Sequence, residues 1–194
     1  MVRKAKISDV SAIAHIHFLQ LNTDFLSSLG ENFLRLLYEV LIKNKKIIIL
    51  VYEDKGKVLG FVSGAKNFDE NFKKIIFNNL IKFLLKIIPS AIKNPKLLRN
   101  LFETIFYTNQ QLDIHVKSEL LSIAIDNKFH RQGIGKKLVY ELEKILINEK
   151  ATSYKVSVNK TNKKANLFYK SLNFIKKGEY LLYNRKINIY LKKI

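Results

Sequence analysis

The amino-acid sequence reads as a single α/β domain of 194 residues built on one mixed sheet. Three observations carry that expectation. Apolar runs of β type alternate with helical periodicity through the second half, from Glu119 to Leu172. Strand pairs joined by short polar turns stand near both ends. The length suits one hydrophobic core, and a hydrophobic content of 47% excludes a disordered chain. Alternation produces parallel neighbours with helices on the sheet faces, and hairpins add antiparallel ones.

Each element has its own signal. Met1 to Lys6 reads as a first strand. Ser8 is placed to cap a helix through Val10, Ile13, Ala14, His17 and Leu21, an apolar set at helical spacing. Phe33, Leu34, Leu37, Val40 and Leu41 mark a second helix, after Gly30 and before the polar run Lys43 to Lys46. Ile47 to Tyr52 and Val58 to Ser63 form a hairpin around Glu53-Asp54-Lys55-Gly56-Lys57. Further on, strands are expected at Glu119 to Ile125 and Tyr154 to Val158, with helices from Gly133 to about Asn148 and from Thr161 to Leu172. Phe174 to Leu182 and Ile187 to Leu191 close the chain as strands around Asn184-Arg185. No internal repeat is present.

Between the third and fourth strands, at about residues 66 to 116, lies a helical insertion. Its core, Ile75 to Ile88, is too short for a membrane span, which needs roughly 20 apolar residues, and it carries Asn78, Asn79, Lys82 and Lys86. Lys82 and Lys86 share a face, so the reading is an amphipathic helix, with Pro89 and Pro95 breaking the segment into two or three helices. Packing on its own domain is favoured; peripheral contact with a membrane or a partner stays open.

The formal charge is +19, of which residues 127–194 hold +13 and residues 1–126 only +6. Two accounts stand: a lysine-rich composition throughout, or attraction of a multiply phosphorylated ligand. Nucleic acid is disfavoured, because the lysines are spread over all elements and no basic helix carries base-reading residues. There is no cysteine, hence no disulfide or thiolate site. Met1 to Asp9 lacks the apolar core of a secretion signal, which makes a cytoplasmic location the expectation.

The chemistry concentrates at Leu121 to Leu142, where a strand ends, a short basic glycine turn follows and a helix starts. Free N–H groups and the positive helix end meet there, as an anion requires. A dinucleotide fingerprint would need glycine at Leu138 and an acidic residue at Val158 or Asn159, and the Gly-Lys-Ser/Thr of a nucleotide-hydrolase phosphate loop is absent. The run His130, Arg131, Gln132, Gly133, Ile134, Gly135 instead resembles the pyrophosphate loop of the GNAT superfamily of acyl-CoA N-acyltransferases, Gln/Arg-x-x-Gly-x-Gly/Ala. His130 is the departure, with Arg131 able to supply a guanidinium contact. Asn162, Ala165, Phe168, Tyr169, Asn173 and Phe174 resemble the second motif of that superfamily, N-x-x-A-x-x-F-Y-x-x-x-G-F, with Asn173 in place of glycine. Asparagine tolerates a positive φ well, so that exchange is mild.

The resemblance implies a GNAT-type fold and an acetyl-CoA-dependent N-acetyltransferase working by direct transfer in a ternary complex, with acetyl-CoA as cosubstrate and no metal. It implies that Tyr169 protonates the leaving thiolate, although Ala165, Phe168, Tyr169 and Leu172 also make an apolar helix face on which Tyr169 could be a core residue. It implies that Glu119 deprotonates the amine, directly or through water, against the alternative of a strand-edge glutamate. Cosubstrate contacts are implied for Ile123, Ala124, Ile125, Arg131, Gln132, Gly133, Ile134, Gly135, Lys136 and Asn162. His15, Thr23 and Asp24 are candidates to line the acceptor site. The four histidines show no metal spacing. The acceptor reads as a small amine or amino sugar, with a protein lysine or N-terminus as the alternative, and a homodimer is open. A non-catalytic module binding CoA or nucleic acid is the second class.

Overall fold

A computed structural model of the chain describes residues 1–67, 74–75, 77–93, 96 and 116–194. The elements follow the expected order: β1 (Val2–Lys4), α1 (Val10–Gln20), α2 (Phe25–Ser28), α3 (Glu31–Lys43), β2 (Ile47–Asp54), β3 (Lys57–Ala65), α4 (Leu80–Lys93), β4 (Glu119–Ile125), α5 (Ile134–Asn148), β5 (Ser153–Asn159), α6 (Lys163–Ser171), β6 (Ile175–Leu182) and β7 (Arg185–Lys193). The seven strands form one sheet in the order β1-β2-β3-β4-β5-β7-β6. Among the described residues only β4 and β5 run parallel, and every other strand pair is antiparallel.

Alternation along β2 shows how the sheet makes two cores. Ile47, Ile49 and Val51 join α1, α3 and α4 on one face, while Ile48 and Leu50 join α5 and Tyr169 of α6 on the other. Both hairpins turn on two consecutive residues of positive φ. These are Lys55 (46°) and Gly56 (76°) between β2 and β3, and Tyr183 (52°) and Asn184 (57°) between β6 and β7.

Two local expectations are corrected. Ser8 does not cap α1. A 3₁₀ turn at Ile7–Asp9 precedes the helix, and the Asp9 carboxylate accepts from the Lys6 N–H at 2.7 Å. Arg3 then holds Asp9 through both guanidinium nitrogens at 2.7 and 2.9 Å and also reaches Glu53. A carboxylate thus held outcompetes a serine hydroxyl for the turn. The second correction concerns Pro89: α4 continues past it to Lys93. Proline removes one helical hydrogen bond without obliging the helix to stop, and α4 is anchored before it by buried Phe83 and Ile87. Pro95 and most of the insertion lie outside the described residues.

The Asp9 cluster yields a stability prediction. Arg3 holds the Asp9 carboxyl below the usual carboxylate range. A lowered folded-state pKa stabilises the fold at neutral pH, and that contribution is lost as pH falls through the folded value. Asp9→Ala should cost about 1–3 kcal/mol in urea denaturation at pH 7. The difference between variant and wild type should shrink below the normal aspartate range; a constant difference would refute the assignment.

Candidate active site

β4 and β5 pair only through Glu119 with Lys155 and Leu120 with Val156, then diverge. From Leu121 onward the β4 backbone facing β5 has no strand partner among the described residues, so its amides and carbonyls, apart from the Ile125 carbonyl that the His130 ring bonds, are open to another extended group. The wedge opens into a cleft of about 880 Å³. Its walls are Leu121 to Ile125 of β4, the turn residues Phe129 to Arg131 and Gly133 to Lys136, Val156 to Asn159 of β5, residues of α6 and its cap between Asn162 and Leu172, and Gln20, Leu21 and Asp24 at the end of α1 and the loop after it.

One end of the cleft is built for an anion. Gly133 sits in the left-handed region at φ 76° as the N-cap of α5, and no side chain caps that helix. The first intrahelical bond is Lys137 N–H to the Gly133 carbonyl, so the N–H groups of Ile134, Gly135 and Lys136 precede the helical ladder. Arg131 also has positive φ, 60°, which bends the turn beneath the helix start. A β-carbon on Gly135 would stand 3.2 Å from Phe168 and 3.3 Å from Ile125, so glycine there lets α5 close on α6. Arg131, Lys136 and Lys164 bring cationic side chains to the lining. The His130 ring bonds the Ile125 carbonyl at 2.9 Å and ties the turn back to β4. Gln132 is exposed beside the turn but is not part of the cleft wall.

α6 is fixed at both ends. Asn162 accepts from the Ala165 N–H at 3.1 Å, committing its side-chain oxygen to the cap. At the other end Asn173 has φ 65°, and Phe174 N–H bonds the Tyr169 carbonyl while Asn173 N–H bonds that of Lys170. This is a Schellman closure with asparagine in the glycine position, sealed by contact between the Phe174 and Tyr169 rings at 5.2 Å. Asn166 was not singled out in the sequence, yet it locks the helix to the sheet. Its amide donates to the carbonyls of Asn159 and Asn162, and its oxygen accepts from Asn188 and Tyr190.

Tyr169 is buried among Phe168, Phe174 and Tyr190. It still contributes to the cleft wall, and among the described residues nothing hydrogen-bonds its hydroxyl. Burial, and secondarily the Asp24 carboxylate, push the phenol above its ordinary range, so it stays protonated. Asp24 also lines the cleft, at the exposed mouth. Desolvation raises its own carboxyl, opposed by Arg185. Arg185 donates to the Thr23 carbonyl at 2.5 Å, and Phe25 meets Tyr183 at 5.1 Å, so the loop after α1 and the β6–β7 turn join beside Asp24.

Glu119 lies at the fork behind the cleft and not on its wall. It faces buried Lys155 at 3.6 Å and accepts from Ser157 Oγ at 3.3 Å. Ser157 does line the cleft and so connects Glu119 to it. Ile123 to Ile125 lie in the β4 wall. His15 stands outside, 3.3 Å from Glu31. His17 is buried and pushed down to about 4 by burial, hence neutral, and contacts the Tyr38 hydroxyl at 2.6 Å.

Residues 105–174 match a protein-family model described as the acetyltransferase (GNAT) family. That segment is similar to the GNAT family. The whole chain shares the GNAT fold with solved structures. An N-acetyltransferase from Staphylococcus aureus Mu50 aligns at TM-score 0.67 and 21% identity, covering 99% of this chain and 100% of that one. The PaiA N-acetyltransferase of Thermoplasma acidophilum, solved with coenzyme A, gives 0.63 and 15%, covering 100% and 98%. The ribosomal-protein-S18-alanine N-acetyltransferase of Escherichia coli gives 0.63 and 15%, covering 100% and 93%. A comparison with curated proteins finds no match. The forked β4–β5 pair and the uncapped start of α5 both lie within the matched segment. Among the described residues no three His, Asp or Glu side chains converge as metal ligands would.

Proposed function

We propose that this protein is an acetyl-CoA-dependent N-acetyltransferase that transfers an acetyl group directly to a small primary amine. The observation that carries the reading is the coincidence of three features in one cleft: an unpaired strand edge, an uncapped helix start with cationic neighbours, and a buried, protonated tyrosine between them. The pyrophosphate of CoA fits the N–H groups of Ile134, Gly135 and Lys136. The amides of the pantetheine arm fit the open β4 edge from Leu121 to Ile125.

Transfer then needs three proton movements. The acceptor arrives as an ammonium and must lose a proton before its nitrogen attacks the thioester carbonyl. The C–N bond forms, the nitrogen gives up a second proton to solvent, the C–S bond breaks, and the sulfur takes a proton from the Tyr169 hydroxyl, which solvent restores. Asp24 stands opposite Tyr169 on the cleft and suits the cationic acceptor; its raised carboxyl is a better base than an ordinary aspartate. Glu119 reaches the cleft through Ser157, so it acts through that hydroxyl and an intervening water. The loop after α1, which reaches the cleft wall at Leu21 and Asp24 and is held in place by the β6–β7 turn, favours a compact acceptor over a protein side chain.

Calorimetric titration with acetyl-CoA tests the central claim: saturable binding is expected, and none at hundreds of micromolar would end it. Bound ligand at about 100 times its dissociation constant should add roughly 2.7 kcal/mol of stability. A screen of amines for thiol release would then define the acceptor class. Asp24→Asn should lower kcat/KM for the amine about 10- to 100-fold with acetyl-CoA affinity unchanged. Activity should fall as pH drops through a value above the normal aspartate range, and Asp24→Asn should abolish that limb. If Glu119→Gln removes the limb while Asp24→Asn keeps it, the base is Glu119.

A further inference from the structure

We propose that α4 and the turn before it form a docking surface for an anionic lipid bilayer. The helix has two apolar sides, and the domain uses only one. Phe83 and Ile87 are buried against α3 and its surroundings, with the Phe83 and Phe33 rings 5.6 Å apart. Phe77, Ile81, Leu85 and Ile88 point away from the domain with 79, 75, 64 and 49% of their surface exposed, and Leu84 stands among them. Their spacing of i, i+4, i+8 and i+11 makes one continuous stripe. Scattered exposed apolar residues are ordinary on a protein surface; a contiguous aligned stripe marks an interaction site.

Charge selects the partner. From Asn71 to Phe102 the sequence holds Lys73, Lys74, Lys82, Lys86, Lys93, Lys96 and Arg99 and no acidic residue. Lys82 and Lys86 are exposed on α4 beside the stripe. A protein partner is commonly met by mixed charge, whereas a run that is apolar and purely basic matches an anionic bilayer interface, where lipid tails take the apolar stripe and headgroups the ammonium groups. Among the described residues no helix is long and apolar enough to cross a membrane, so the contact is one of lying on the surface. The cleft is built from β4, β5, α5 and α6, and α4 packs on the opposite face of the sheet, so a docked enzyme would keep its active site open to water.

Sedimentation of the full chain with vesicles tests this. Phosphatidylcholine vesicles containing about one third phosphatidylglycerol should carry the protein down, and phosphatidylcholine alone should not. Ile81→Ser/Leu85→Ser/Ile88→Ser, all exposed positions, should melt as the wild type does and partition at least about ten-fold less. The protein has no tryptophan, so Leu85→Trp supplies a sole reporter whose emission should shift to the blue on vesicle binding. Absence of binding to the anionic vesicles would overturn the proposal. So would equal partition of the serine variant, which assigns binding to diffuse positive charge, or an unshifted emission in the bound state, which keeps the helix out of the lipid.

Discussion

Tyr169→Phe is expected to lower kcat about 10²- to 10⁴-fold while leaving acetyl-CoA affinity nearly unchanged. The geometry makes the substitution selective. The ring is held by Phe168, Phe174 and Tyr190, and the backbone beneath it by the Schellman closure at Asn173. Phenylalanine keeps every one of those contacts, and the lost hydroxyl has no hydrogen-bond partner among the described residues, so the fold should lose little stability. What disappears is the proton for sulfur, an effect of roughly 2.7–5.5 kcal/mol on the barrier at about 1.36 kcal/mol per ten-fold. Because burial and Asp24 both raise the phenol, its neutral form persists through the alkaline range. The wild-type rate should therefore show no loss attributable to Tyr169 below about pH 10. The folded environment makes the phenol a weaker acid than an exposed tyrosine and keeps its proton in place. Full turnover by Tyr169→Phe with a good acceptor would remove it from the mechanism.

The parts legible in the sequence are those with a local cause. β4 begins and ends where its apolar run does, Glu119–Ile125, and the start of α5 follows from a left-handed glycine that any chain needs at such a turn. Asn173 adopts the positive φ that its position in the motif demands. Where the reading failed, distant chain had intervened. Ser8 is a good cap by propensity, but Asp9 prevails because Arg3 and Glu53, on strands that pair only in the fold, fix it. The surroundings of the candidate bases are likewise set by distant chain. Glu119 looks accessible at the head of a strand, yet pairing of β4 with β5 sets it against Lys155. Asp24 acquires its place through Arg185, which bonds the neighbouring Thr23 carbonyl across 162 residues of sequence, a contact that no spacing rule anticipates. Asn166 lies inside a recognised helix motif, but three of its four side-chain hydrogen bonds reach β5 and β7, and only the closed sheet brings those strands beneath it.

Gly135→Val should weaken acetyl-CoA binding about ten- to a hundred-fold and leave the fold intact. The two loop glycines do different work, and that difference makes the prediction specific. Gly133 needs its conformation: at φ 76° any side chain is strained, although a β-carbon there would meet nothing within 4 Å. Gly135 needs its small size. Its φ is that of an ordinary helix residue, so valine strains no backbone angle, but the new β-carbon starts 3.2 Å from Phe168 and 3.3 Å from Ile125, and the valine methyl groups add to that crowding. Phe168 and Ile125 are opposite walls of the same cleft, so spreading them displaces the helix start whose N–H groups would hold the pyrophosphate. Overpacking of this kind costs about 1–3 kcal/mol, and here much of that cost should appear as lost affinity because the strain sits at the binding wall. Gly135→Ala introduces the tight contact without the branches and should fall between valine and wild type. Titration of the three proteins with CoA measures the series; equal affinities would show that the loop does not carry the pyrophosphate.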